Sequence, residues 1–360
     1  MIETRAPGKL FVAGEYAVVD PGEPAVLIAV DRYLTVRLTE ATGAGRVHSG
    51  EYGPEPLRWV RSDDGPRIRA TGPPGDHVLA AISAIEELRH DRGRAPRYVD
   101  LEIASDLDDP SGRKYGLGSS AAVTVAVVAA LDEFYGLGLT PLERFRLALL
   151  ATITVSPRAS GGDVAASTFG GWIRYTSPDR DALARHRAEH GLTATLADAP
   201  WAGCSITPLP PPAGLSLLVG WTGSPAATDT LVDGVRSPRP RHAPGYRLFV
   251  AQSRACVDDL VSALGAGGRG APDVIRRARR LLVGLGSEAG IAIETEQLRL
   301  LCEIAESHGA AAKSSGAGGG DCGIALAPAH VDPAGILREW DSCDVRPLAL
   351  SVHRGEGARR

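Results

Sequence analysis

Lysine is almost missing from this chain: of 39 basic residues, only Lys9, Lys114 and Lys313 are lysines. A sequence that uses arginine everywhere else keeps lysine where a compact ammonium cannot be replaced by a flat guanidinium. All three lie in the N-terminal or glycine-rich segments described below. Cysteine is also sparse. The five (Cys204, Cys256, Cys302, Cys322, Cys343) are odd in number, far apart and free of any CxxC spacing. That excludes a disulfide or zinc framework and fits the reduced, mostly buried thiols of a cytoplasmic protein. No run approaches ~18 uninterrupted apolar residues, so no membrane-spanning helix is expected. An acid at position 3 and the lack of an apolar core segment exclude a secretory signal at the N-terminus. Net charge is −4, without the basic stripe of a nucleic-acid binder. No internal repeat occurs at solenoid or propeller period. What is present is ordinary for a globular enzyme, with 44% apolar and 23% charged residues. At 360 residues the chain exceeds what one hydrophobic core usually holds, so two domains are expected.

The first third reads as strand-rich, with apolar or alternating runs at 10–12, 25–30 and 33–38 broken by the turn Asp20-Pro21-Gly22. Asp76 is placed to cap a helix that carries Val78, Leu79, Ile82, Ile85 and Leu88 on one face and ends near Gly93. A short strand at 99–103 leads into a polar loop. An Ala/Val-rich segment from Ser119 to Tyr135, free of Gly and Pro, predicts a buried helix. Thr140 followed by Pro141 predicts the start of another. Composition shifts near Pro208-Leu-Pro-Pro-Pro, which divides the chain into expected domains 1–207 and 208–360. The second half opens on a strand at 215–221 and continues with helical stretches at 246–265, 272–285 and 294–308. The stretch 236–245 is basic and Pro-rich, either a solvated loop or a flap near an anionic substrate. Strand–helix alternation without a strict βαβ rhythm places the protein in the α+β class.

Four segments carry the chemistry. In Lys114-Tyr-Gly116-Leu117-Gly118-Ser119-Ser120, a glycine-rich turn feeds straight into the long apolar helix. Glycines let backbone approach a ligand closely, and the N–H groups and dipole of the first helical turn suit a phosphate chain. No Lys-Ser/Thr pair follows the last glycine, so this is not a Walker A loop. A dinucleotide fingerprint would need a preceding strand and an acid about twenty residues on, and neither is there. A tightly packed helix start is the remaining bland alternative. The second segment, Lys313-Ser-Ser315-Gly316-Ala-Gly318-Gly319-Gly-Asp321, precedes an apolar strand and brings backbone close to something bulky or anionic. The third, Ser160-Gly-Gly-Asp163, puts an acid at a small apolar helix start, where a plain N-cap is the alternative. The fourth, Pro7-Gly8-Lys9 … Gly14-Glu15-Tyr16, puts a lysine on an apolar strand, which demands a carboxylate or phosphate partner.

Taken in chain order, Pro7-Gly8-Lys9 first, then the turn at 116–120, then Ser160-Gly-Gly-Asp163, then the run from Lys313, the four segments resemble the GHMP kinases, from about residue 5 to 350. The glycine run from Lys313, the Gly14-Glu15-Tyr16 triplet where sister kinases usually carry His for Tyr, and Val219-Gly-Trp-Thr-Gly are similar to the bacterial branch acting on 5-phosphomevalonate. The resemblance implies a two-domain GHMP kinase fold: an N-terminal α+β domain with a left-handed βαβ crossover, and a C-terminal ferredoxin-like domain. It implies transfer of the γ-phosphoryl group of ATP, with Mg²⁺, to (R)-5-phosphomevalonate in isoprenoid synthesis. Lys9 and Asp163 would then be catalytic. Lys114, Gly116, Leu117, Gly118, Ser119, Ser120, Ser315 and Gly316 would hold the nucleotide, with Ser120 on the metal. Lys9, Tyr16, Ser160, Gly318 and Gly319 would face the acceptor. The small-molecule acceptor is the only partner implied beyond a homodimer, with neither nucleic acid nor membrane. One departure stands out: sister kinases place a metal-binding Glu shortly before the catalytic Asp, whereas residues 144–162 contain no acid. Related activities on mevalonate or its diphosphate remain alternatives, as does a non-enzymatic ligand sensor.

Overall fold

The computed structural model describes residues 1–63, 65–71, 75–197, 199–224, 231–232, 235 and 244–355. The first half forms a sheet from β1 (Ile2–Ala13), β2 (Pro24–Ala41), β3 (Gly45–Ser49), β4 (Leu57–Arg61), β5 (Ile68–Ala70), β6 (Tyr98–Ser105), β7 (Trp172–Thr176) and β8 (Ser205–Leu209). Its order is β5-β4-β3-β6-β2-β7-β8, with β1 antiparallel to β2. Strand β2 is the spine. Its first half pairs with β7 and its second half with β6, and Leu34, Val36 and Leu38 alternate inward as the pleat requires. β3 and β6 are parallel, and the connection between them carries helix α1 (His77–Asp91).

Helices α2 (Ser119–Tyr135), α3 (Pro141–Val155), α4 (Gly162–Phe169) and α5 (Arg180–Leu196) complete this half. α2 starts and ends where the sequence places it and buries Ala and Val almost all round, as an apolar helix inside a core does. Asp76 caps α1 through Leu79 N, and Thr140 with Glu143 forms a full capping box on α3.

The chain changes sheet between Leu209 and Leu215. β9 (Leu215–Trp221), β10 (Ala311–Ser314), β11 (Cys322–Pro328) and β12 (Arg346–Leu348) form an antiparallel sheet ordered β10-β11-β9-β12. Helices α6 (Pro244–Gly265), α7 (Ala271–Ala289) and α8 (Glu296–Ser307) join β9 to β10, and α9 (Pro333–Ser342) joins β11 to β12. With the helices taken as two connecting layers, this is the βαββαβ pattern of a ferredoxin-like domain. α7 runs four residues beyond the end predicted at 285, through Gly286. The bare Cα of Gly286 lets the returning backbone at Ile291 approach, so tertiary packing overrides its poor helix propensity. Of the basic stretch 236–245, residues 236–243 lie outside the described residues, and Pro244 and Gly245 open α6. The five cysteines are free thiols. No helix among the described residues is long and apolar enough to cross a membrane.

Because the Thr140 hydroxyl and the Glu143 carboxylate satisfy each other's backbone, Thr140→Ala should cost about 1 kcal/mol. A thermal melt should show a drop of about 2–4 °C, and an unchanged midpoint would mean that the box contributes nothing.

Candidate active site

The two sheets meet along the start of α2 and the glycine run after β10, around a cavity of about 610 Å³. Three contacts fasten one side of it. Ser315 Oγ accepts from Phe11 N (2.9 Å) and donates to Phe11 O (3.0 Å). Tyr16 OH donates to Ala317 O at 2.5 Å. Lys313, with no exposed surface, pairs through Nζ with the buried Glu15 carboxylate and donates to Ser314 O at 2.6 Å. Tyr16 has a positive φ of 61°, costly for a non-glycine residue and held here by its neighbours. Burial, and secondarily the charge of Glu15, push its phenol pKa above the ordinary value, so it stays a donor at neutral pH.

Opposite stands the N-terminus of α2. Its first helical bond runs from Ala122 N to Gly118 O, so the N–H groups before it have no helical acceptor. Among the described residues, the hydroxyls of Ser119 and Ser120 make no hydrogen bond within the protein, and both line the cavity. Two glycines shape this turn. A Cβ on Gly116 would lie 2.5 Å from Asp321 Cβ, and one on Gly118 would lie 2.8 Å from Lys9 Cε. Both have φ of 81°. The turn therefore takes glycine for conformation and for room, and the stem of Lys9 lies across the space it leaves.

Lys9 projects from β1 into the cavity, with Nζ 3.3 Å from Gly116 O and 5.5 Å from the centre of the Phe11 ring. Asp163, half-buried in the first turn of α4, lines the same cavity. It does not cap its helix, because Gly161 occupies the N-cap position. Among the described residues, Lys9 and Asp163 form no ion pair within 4.0 Å of each other. Ser160 borders the cavity. Its carbonyl accepts from the buried Tyr175 OH (2.7 Å), which fixes the turn before Asp163. Lys114 stands at the exposed rim, paired with Glu51 at 3.1 Å.

The structure separates the predicted site residues. Lys9, Tyr16, Lys114, Gly116, Leu117, Gly118, Ser119, Ser120, Ser160, Asp163, Ser315 and Gly316 all border the cavity. Gly318 and Gly319 do not. Gly318 abuts the Ile293 carbonyl and Gly319 N donates to it at 2.8 Å, so these two close the glycine run against the segment before α8. Ser315 borders the cavity but is engaged within the protein. Its hydroxyl serves Phe11 on both sides, so it contributes wall rather than a phosphate donor. Sequence reasoning missed Glu15, Arg158 and Asp321 as cavity residues. Glu15 and Asp321 sit inside the quoted motifs, but the demand for an acid was argued for Lys9, whereas Glu15 answers Lys313. Arg158 carried no such signal.

The fold and this site define a class. A model of the GHMP kinases N terminal domain matches residues 76–171, and one of the GHMP kinases C terminal matches residues 272–344. The chain belongs to the GHMP kinase family. Within it, the chain is 46% identical over 366 aligned positions to the phosphomevalonate kinase of Streptomyces sp. (strain CL190), covering 97% of this chain and 96% of that protein. Among solved structures, the Lin0012 protein from Listeria innocua superposes with a TM-score of 0.90 at 33% identity, over 98% of both chains. Streptococcus pneumoniae phosphomevalonate kinase in complex with phosphomevalonate and AMPPNP superposes at 0.84 with 29% identity, over 98% of this chain and 100% of that one.

Replacing Lys313 by Met would leave the Glu15 carboxylate buried without its partner. Chemical denaturation should register a loss of about 3–5 kcal/mol, largely recovered in Glu15→Gln/Lys313→Met, where neither charge is stranded. A Lys313→Met protein within experimental error of the native stability would show that the pair does not hold the two domains together.

Proposed function

We propose that this chain transfers the γ-phosphoryl group of ATP to (R)-5-phosphomevalonate, forming (R)-5-diphosphomevalonate in isoprenoid synthesis. One observation carries the proposal: a single cavity gathers the open N-terminus of α2, Lys9 and Asp163, in a chain this similar along its whole length to a phosphomevalonate kinase. Phosphoryl transfer needs positioning and neutralisation of charge more than covalent chemistry, and these groups supply both.

The N–H groups of the first turn of α2 and the Ser119 and Ser120 hydroxyls bind the nucleotide phosphates, with Lys114 at the rim and Gly316 in the facing wall. Lys9 offsets the negative charge gathered between donor and acceptor, while Asp163 orients the acceptor beside it. Ser160 borders the acceptor side. Tyr16 shapes that side through its bond to Ala317 rather than by touching substrate through its hydroxyl. The residues present fit Mg²⁺ held by the unpartnered Ser120 hydroxyl, phosphate oxygens and water, because this ion keeps waters and needs few protein ligands. When bound, Mg²⁺ neutralises the oxygens of the phosphate being transferred. Unpaired thiols, three of them buried, fit a cytoplasmic compartment.

Purified protein with ATP-Mg²⁺ should consume 5-phosphomevalonate and leave mevalonate and diphosphomevalonate untouched. ADP release with mevalonate alone would replace this proposal with the hydroxyl-acceptor reaction.

The acceptor's chemistry makes a second, sharper prediction. A phosphate monoester ionises a second time near about pH 6 and is already a nucleophile at neutral pH, whereas an alcohol needs a base. The acidic limb of kcat/KM should therefore follow the acceptor's own ionisation. Asp163→Asn should lower the rate evenly across pH and keep that limb. A limb abolished by the substitution would make Asp163 a general base.

A further inference from the structure

Three residues after leaving β12, the chain crosses back to the N-terminal sheet. Asp31 N donates to Ser351 O (2.9 Å), and Ser351 N donates to Asp31 Oδ1 (2.6 Å). Val352 bridges antiparallel to Val30 on β2. At the next residue three backbone bonds close a ring: His353 N donates to Ala29 O (2.9 Å), Ala29 N to Gly171 O (2.9 Å) and Gly171 N to His353 O (2.8 Å). The His353 ring stacks edge-on against Tyr33 at 5.5 Å, and its Nδ1 lies 2.9 Å from Tyr33 OH. The segment then lies flat on the turn that ends α4. A Cβ on Gly170 would come within 2.9 Å of Gly355 Cα, and one on Gly355 within 3.0 Å of Phe169 O.

The partners of this strap matter. Ala29 is the residue of β2 directly opposite Lys9 on β1. Gly170 is the C-cap of α4, an eight-residue helix whose first turn carries Asp163. α4 packs against β1, β2, α2 and α3, and Ser167 Oγ on its last turn donates to Pro7 O on β1 at 2.8 Å; the ring adds a hold at the end opposite Asp163, where a shift of a rigid helix moves its start as well. The backbone ring thus ties two elements together, the stretch of β2 that lies against Lys9 and the C-terminal end of the helix bearing Asp163. It does so with a segment that follows the last strand of the other domain.

We propose that residues 351–355 are a positioning strap for phosphoryl transfer, with His353 as its key residue: it sets the spacing of Lys9 and Asp163 without touching substrate. This rests on the catalytic roles given to those two residues above. The strap touches neither Ser119 nor Ser120 among its described contacts, so it should act on kcat and leave nucleotide binding alone.

The test uses three full-length variants. His353→Pro removes the N–H that bonds Ala29 O, His353→Asn keeps that N–H and a polar group able to reach Tyr33, and Tyr33→Phe removes the ring contact's hydroxyl. At temperatures well below each melting midpoint, His353→Pro should lower kcat by roughly 10- to 100-fold, the cost of a misplaced reacting group. KM for ATP should stay within about twofold of native, as it does when ground-state nucleotide binding is untouched. His353→Asn should retain most of the native kcat, and Tyr33→Phe should fall between. Hydrogen exchange supplies a readout that needs no activity: amides at the start of α4 and around Lys9 should lose protection in His353→Pro, and those at the start of α2 should not. Native kcat in His353→Pro, or exchange protection unchanged around Lys9 and Asp163, would overturn the strap. A loss of kcat matched by an equal rise in KM for ATP would do so too. A native enzyme without kinase activity would overturn the functional reading instead, and the exchange experiment would still decide the strap.

Discussion

Everything around the cavity depends on one requirement: a charge taken out of water must find its opposite. Lys313 has no exposed surface, and Glu15 has almost none. Neither could be buried alone without a cost of several kcal/mol. Their pairing brings the end of β1 against β10, and the neighbouring contacts follow in register. Ser315 then reaches both backbone groups of Phe11, and Tyr16 reaches Ala317. A pair of this kind is weak evidence for added stability. It serves better as a register device, because the two domains can meet in only one way that satisfies both charges.

That fixed side allows the other to stay unsatisfied. The start of α2 presents N–H groups and hydroxyls with no partner among the described residues, an arrangement that a ligand or water must complete. Glycine at 116 and 118 makes room for Asp321 and for the stem of Lys9, so cationic, acidic and backbone groups converge without a side chain between them. Such a site suits a polyanionic ligand held by fixed dipoles and one or two ammonium groups. It also explains the scarcity of lysine. Lys9 and Lys114 stand as compact ammonium groups at the cavity and its rim, and Lys313 answers one carboxylate where no surface is exposed.

Much of this was legible from local pattern. The limits of α2, the caps at Asp76 and Thr140, the strand at 215–221 and the glycine turn at 116–118 are properties of a few neighbouring residues, where propensity and periodicity act. The α+β class and the two-part organisation followed from the same signals. So did most of the residues that border the cavity, once the four segments were taken together. Glu15 was visible as a motif residue but not as a partner, because nothing local ties it to a lysine 298 positions away.

By itself the sequence determined most of the helices and strands, the glycine turn that opens α2, and which family the ordered motifs belong to. Those features rest on backbone conformations and hydrophobic periods that each segment carries wherever it is placed. Only the tertiary structure decided the rest. It packed Gly318 and Gly319 against Ile293, spent the Ser315 hydroxyl on Phe11, joined Lys313 to Glu15 and laid residues 351–355 across the strand beside Lys9 and the end of the helix that carries Asp163. The physical reason is common to all four. Each is a contact between segments distant in the chain that satisfies polar groups buried when those segments pack, three of them between the two domains and the glycine run within one, and no local period encodes such a choice.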